Sequence, residues 1–150
     1  MKSFLGVIRQ QMATKGTQEA LLFTNEAILN TLDQRFKAVA ANLQRVAKKG
    51  DRVLILHEPG EHFVNAFMGC LYAGMVAVPI YPPNPARLDR TLPYFLAVIQ
   101  DAEPAAVLTN GLFKSVAADF IAAAEDMDEV VILRSTRFDL TDADHYEFCN

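Results

Sequence analysis

Four short apolar runs, separated by longer stretches of helical periodicity, constrain this chain more than any other feature. Val53-Leu54-Ile55-Leu56 runs unbroken between Asp51-Arg52 and Glu58-Pro59-Gly60. A strand with one wet face alternates apolar and polar residues, so an uninterrupted run of this length belongs to a strand covered on both faces. Met75 to Ile80, Ala105 to Thr109 and Val130 to Leu133 repeat the signal. Each interval between them is long enough for a crossover helix, which parallel neighbours require.

The intervals carry the helices. Thr31 and Gln34 have capping-box spacing, and Phe36, Val39, Ala40, Leu43 and Val46 recur at helical intervals up to Lys48-Lys49-Gly50. Phe63, Ala66, Phe67, Cys70 and Leu71 define a second helix that ends near Ala73-Gly74. Thr91 is placed to cap a third, with Pro93 in its first turn, Leu92, Phe95, Leu96 and Ile99 on its buried face, and Glu103-Pro104 at its end. A turn at Asn110-Gly111 leads into a fourth, Leu112 to about Glu125, with Val116, Phe120 and Ile121 inward.

Strands alternating with helices predict an α/β fold: an open, mainly parallel sheet with helices on both faces. The core spans 31–134. Residues 1–30 read as a short helix capped by Ser3 and running to Met12, a loop over Thr14 to Gln18, and a small hairpin of Leu21 to Thr24 with Ala27 to Leu29. Residues 135–150, acidic and without a period from Phe138 on, read as a polar surface tail. The whole is one domain, or the N-terminal segment of a larger one; 150 residues suffice for a real core.

Charge and composition exclude several classes. A net charge of −4 and dispersed bases argue against a nucleic-acid binder. The densest basic group, Arg45, Lys48, Lys49 and Arg52, falls where a helix end welcomes cations. No run approaches the roughly 20 apolar residues of a membrane span, and Arg9 interrupts the N-terminal stretch before signal-peptide length. Two cysteines far apart, Cys70 and Cys149, make no disulfide framework, which fits a cytoplasmic protein.

Ligands of open α/β sheets sit beyond the strands' carboxyl ends, so the informative loops begin at His57, Tyr81, Asn110 and Arg134. None has the glycines of a dinucleotide fingerprint, and no P-loop occurs. His57, Glu58, Glu61 and His62 form a dense titratable set, read as the solvated rim of a strand end with Glu61 complementing a helix dipole. Asp139, Asp142, Asp144 and His145 lack the period of a calcium loop and read as solvated tail. Cys70 and the Phe63 and Phe67 pair read as core. No residue is assigned a catalytic, cofactor-binding or metal-ligating role.

Gly50-Asp51-Arg52-Val53-Leu54-Ile55-Leu56, Pro59-Gly60, Phe63-Val64, Phe67 to Gly74 and Val76-Ala77-Val78-Pro79 together resemble the opening of the acyl-adenylating superfamily of acyl-CoA synthetases. The continuation Tyr81-Pro82-Pro83-Asn84-Pro85, with Leu92-Pro93 and Ala105 to Thr109, resembles its fatty-acyl-AMP ligase branch. The likeness runs from about Leu21 to Leu133. It implies a parent enzyme that uses ATP and magnesium to turn a fatty acid into an acyl-adenylate and passes the acyl group to an acyl carrier protein. The family's phosphate loop, magnesium-binding glutamate and catalytic lysine match no position here. The resemblance therefore implies a scaffold inactive alone, whose partner is the remainder of the adenylation domain.

Tyr81, Pro82 and Pro83 are the candidate substrate-proximal residues, as a wall near the substrate region; rigidity of the loop is their structural reading. A segment cut from a larger sheet is expected to expose an edge or an apolar patch and to self-associate. Two rival readings are a stand-alone interaction or dimerisation module of the same ancestry and an unrelated flavodoxin-like ligand binder; the missing phosphate loop counts against the latter.

Overall fold

The computed structural model describes Gly6, Val7, Gln10 and residues 19–22, 26–83, 87–124, 127 and 129–149. Gly6, Val7 and Gln10 are helical, whereas Ser3, Met12 and the expected loop from Thr14 to Gln18 lie outside the described residues. A hairpin follows, β1 (Glu19–Leu22) against β2 (Glu26–Ile28), antiparallel. Its turn, Thr24 and Asn25 included, also lies outside the described residues.

The main body alternates α1 (Leu29–Gln44), β3 (Arg52–Leu56), α2 (Glu61–Tyr72), β4 (Val76–Ile80), α3 (Leu88–Ala102), β5 (Ala106–Thr109), α4 (Lys114–Ala123) and β6 (Val131–Arg134). The sheet order is β4-β3-β5-β6. Every pairing is parallel, with Val53 opposite Ala77 on one side and Ala106 on the other, and Ala106 opposite Val131.

Period-two alternation along the central strands divides the core into two layers. Val53, Ile55, Ala106 and Leu108 face Leu32, Phe36, Val39 and Leu43 of α1 and Ala66 and Cys70 of α2. Leu54, Leu56 and Val107 face Phe95 and Ile99 of α3 and Ala117 and Phe120 of α4. The expected helices on both faces are present. Burial of Cys70 as core filler pushes its thiol up to about 12, so it is inert at neutral pH.

Helices α1 and α2 touch at Gly69, where a Cβ would overlap Val39 and stand 3.0 Å from the Phe36 carbonyl oxygen. Only glycine permits that approach. At the other end of the sheet Arg52 closes α3: its Nε donates to the Ala102 carbonyl at 2.6 Å and its guanidinium to that of Glu103 at 2.9 Å. Glu103 is left-handed at φ 42°, the conformation of a helix C-cap.

Several boundaries differ from expectation. Helix α1 begins at Leu29, so Thr31 and Gln34 lie inside it and do not form its capping box. Helix α3 begins at Leu88, leaving Thr91 to donate back to the Arg87 carbonyl at 3.2 Å instead of capping. Strand β4, apolar throughout, is an edge with Val76 and Pro79 exposed, which suits a proline that cannot donate to a ladder.

The largest difference is at residues 135–150. Rather than a loose tail, Ser135–Arg137 and Leu140–His145 form 3-10 turns packed on α1 and α2. Asp139 and Asp142 make a reciprocal capping box, and Asn42 donates to Asp142 at 2.9 Å. Gln44 and Glu147 exchange two hydrogen bonds, of 2.8 and 3.1 Å. Tyr146 donates to the Tyr72 carbonyl at 3.2 Å, and Phe138 and Tyr146 pack against the core. Asp139 and Asp142 thus serve the backbone, which composition alone hid.

Candidate functional site

The carboxyl ends of β3, β5 and β6 converge at the point where the chain's connections diverge to opposite sides, β3 leading to β4 and β5 leading to β6. Crevices at such switch points are the default ligand position of the fold. Among the described residues a cavity flanks it on each face of the sheet.

On the α1/α2 face lies a cavity of about 190 Å³ lined by Arg35, His62, Asn65, Ser135 and Thr136 among others. His57, which ends β3, was expected on a solvated rim; it is instead buried at 3% exposure. The buried backbone of β3 leads the side chain inward. Its Nε2 lies 2.7 Å from Ser135 Oγ, and that hydroxyl donates to the Thr109 carbonyl at 3.5 Å. The hydrogen bond between His57 Nε2 and Ser135 Oγ, whose direction follows the imidazole tautomer, and that from Ser135 to Thr109 tie β3, β5 and the turn after β6 together. Burial, and then the charge of His62, lower His57 to about 4. The imidazole is neutral at pH 7.

Glu61 meets Arg35 of α1 in an ion pair, a partner that sequence reading missed because it comes from a different helix. A carboxylate in the first turn of α2 complements that helix end and repels a phosphate there. At α4 the free amides of Leu112 and Phe113 are already taken by Asn110 Oδ1, at 3.0 Å each. The turn is tight because Arg134 Nη2 stands 2.7 Å from where a Cβ of Gly111 would be.

A phosphate at either helix end would meet the Glu61 carboxylate or the occupied amides before α4. The amides before α4 are filled by the chain's own oxygen, and the first turn of α2 carries the Glu61 carboxylate without a side-chain cap. Among the described residues no three of His, Cys, Asp or Glu gather.

On the α3/α4 face lies a larger, open groove of about 540 Å³. Pro82, Pro83, Phe95 and Phe113 are buried and form its floor, and Phe95 packs on Phe120 beneath at 4.5 Å between ring centroids. Its rim is exposed and apolar: Tyr81 at 79%, Leu112 at 66% and Tyr94 at 60%. Glu58 is the one charged side chain in the lining. Tyr81, Pro82 and Pro83 thus share one wall, whereas Asn84 and Pro85 lie outside the described residues. Tyr94, Phe95, Leu112 and Phe113, which complete the groove, are missed by a reading that assigns helix residues to core and a turn to a link. The turn chemistry of Asn110 was the available signal.

Comparison with known proteins places the chain. Residues 8–148 match the family described as AMP-binding enzyme, and the chain belongs to that family. The medium-chain-fatty-acid--[acyl-carrier-protein] ligase JamA of Moorena producens is 42% identical over 86 residues, 57% of this chain and 14% of JamA. Disco-interacting protein 2 homolog A of Mus musculus is 35% identical over 107 residues, 69% of this chain and 7% of that protein. Among solved structures, the fatty acyl-adenylate ligase from L. pneumophila, in complex with acyl adenylate and pyrophosphate, superposes on all of this chain and on 26% of its own. The TM-score is 0.80 and the identity 28%. The match is to the N-terminal part of acyl-adenylating ligase structures, whose parallel α/β sheet is the one described above. The chain spans about a seventh of JamA.

Proposed function

We propose that this chain is the N-terminal scaffold of a fatty-acyl-AMP ligase. The whole protein joins a fatty acid carboxylate to the AMP moiety of ATP, releases pyrophosphate, and passes the acyl group to an acyl carrier protein. The observation that carries the reading is superposition over the full chain on a ligase that holds acyl adenylate. The name of JamA, which specifies an acyl-carrier-protein ligase, supports the acceptor.

ATP and magnesium bind residues outside this segment, a reading supported by the absence of a glycine-rich phosphate loop from the sequence and by the Glu61 carboxylate at the start of α2. The segment alone forms no adenylate. Tyr81, Pro82 and Pro83 contribute a wall near the substrate. No helix among the described residues is long and apolar enough to cross a membrane, which accords with action in the cytoplasm.

The test is detection of acyl-adenylate and pyrophosphate by mass spectrometry with ATP, magnesium and dodecanoate. The intact protein is expected to form both, and residues 1–150 alone neither. Turnover by residues 1–150 alone would overturn the scaffold reading. A second reading, an interaction module of the same ancestry, is favoured by the match to Disco-interacting protein 2 homolog A over 69% of the chain. It gains if the intact protein binds partners yet makes no adenylate.

A further inference from the structure

We infer that the cavity enclosed by α1, α2 and the segment after β6 is a binding site for a small neutral amide, held through the carboxamide of Asn65. The inference goes beyond the ligase reading and does not depend on it. Arg35 and Val39 of α1, His62 and Asn65 of α2, and Thr136 and Phe138 surround a volume of about 190 Å³. That is more room than a single water fills. Every wall belongs to the described residues, so the site is built within one folded unit.

The hydrogen bonds select the occupant. Two of the polar groups around the cavity are answered within the chain, Arg35 by the Glu61 carboxylate and Ser135 by His57. Asn65 is not. It lies on the second turn of α2 at 7% exposure, and its Oδ1 accepts no hydrogen bond among the described residues. A buried amide oxygen without a donor is costly, and native proteins keep few of them.

A carboxamide presents an acceptor beside a donor, so its complement is a group with an N–H beside a C=O. That group is another amide. An anion brings no proton to Oδ1, and it gains no free charge from Arg35, whose guanidinium already meets Glu61. Beyond Asn65 the walls turn apolar, with Val39, Phe138 and Leu140. A planar body attached to the amide is covered there while its polar end is bonded. An aryl carboxamide has both parts.

The experiment uses the intact protein with 4-fluorobenzamide and 4-fluorobenzoate, a pair alike in shape that differ in the amide N–H. Fluorine NMR follows binding in solution, and soaked crystals show where each compound lies. The benzamide is expected in the cavity within hydrogen-bond distance of Asn65, and the benzoate is expected to be absent from it. Asn65→Leu, similar in volume and without an unpartnered oxygen, is expected to keep the urea midpoint and to weaken benzamide binding by about tenfold or more. Val76→Ala on the distant edge strand should leave binding unchanged. The soaks decide the matter even where Asn65→Leu fails to fold.

Benzoate seated in the cavity, or equal binding by Asn65→Leu, overturns the site. So does a benzamide-soaked crystal in which water or a protein group alone bonds to Asn65 Oδ1. Density without binding in solution marks binding at crystal concentration only and overturns it too. None of these outcomes touches the ligase reading, which stands or falls on adenylate formation.

Discussion

The two faces of this sheet end differently at the same carboxyl edge. On the α1/α2 face the segment after β6 folds back over the helices, and a relay of His57, Ser135 and the Thr109 carbonyl draws the crevice inward. On the α3/α4 face the edge is left open, with exposed aromatic and aliphatic side chains around a buried floor. The chain spends its polar side chains closing one side and its apolar ones lining the other. A face sealed by its own sequence is architecture; one that stays apolar and uncovered in this segment is where a ligand or the remainder of the protein gains most. The contrast predicts that the same truncation has unequal consequences on the two sides.

The largest expected effect is on the closed face. Phe36 is 2% exposed and meets Tyr72 edge-on, so Phe36→Ala should cost about 3–5 kcal/mol in urea unfolding. Tyr94→Ala on the open face should change stability by no more than about 0.5 kcal/mol. Equal losses would mean that the groove is core and the contrast is false.

Protonation should weaken the closed face next. An unfolded imidazole takes up its proton near 6.5, whereas folded His57 resists until about 4. Between those values the unfolded chain binds more protons, so stability falls as pH falls, by about 2–3 kcal/mol over the window. His57→Gln keeps an amide donor for Ser135 and should flatten that slope, as read from urea midpoints at a series of pH values. A slope unchanged in the variant would assign the acid sensitivity to other groups.

The folded-back segment gives the third effect. Asp142→Ala removes one half of the capping box and the acceptor of Asn42, and should cost about 1–2 kcal/mol. Hydrogen exchange should then quicken in residues 139–147 before it does in β3. Quickening in both together would show that the segment is not a separable cover.

How far this was legible in the sequence follows the same division. The apolar runs from Val53 and from Ala105 predict strands within one residue at each end, because burial on both faces leaves no freedom in residue type. The resemblance read from about Leu21 to Leu133 agrees with the family match over residues 8–148. Segment 135–149 was not legible, because Asp139, Asp142 and Glu147 are polar in either a solvated tail or a capped turn, and only their partners Asn42 and Gln44, about a hundred positions earlier, tell the two apart. His57 was misplaced for a related reason: a strand-end histidine beside two glutamates looks wet until Ser135 is brought over it. Of the groove, the prolines announced a rigid wall, while Tyr94 and Leu112 gave no sign, since an exposed residue on a helix or in a turn carries no period.

The smallest expected effect concerns the sheet's edge, which neither face covers. Val76 on β4 is 49% exposed and its strand has no neighbour on that side among the described residues, so two copies have a template on which to pair. Val76→Lys places a charge on that template without touching either core layer, and stability should stay within about 0.5 kcal/mol. Any self-association at high concentration should then weaken in sedimentation velocity, while Tyr81→Ser, on the groove rim, should leave it as it was. The reverse pattern would make the groove rather than the edge the adhesive surface, and would mean that its apolar rim answers to another copy of the chain instead of a ligand.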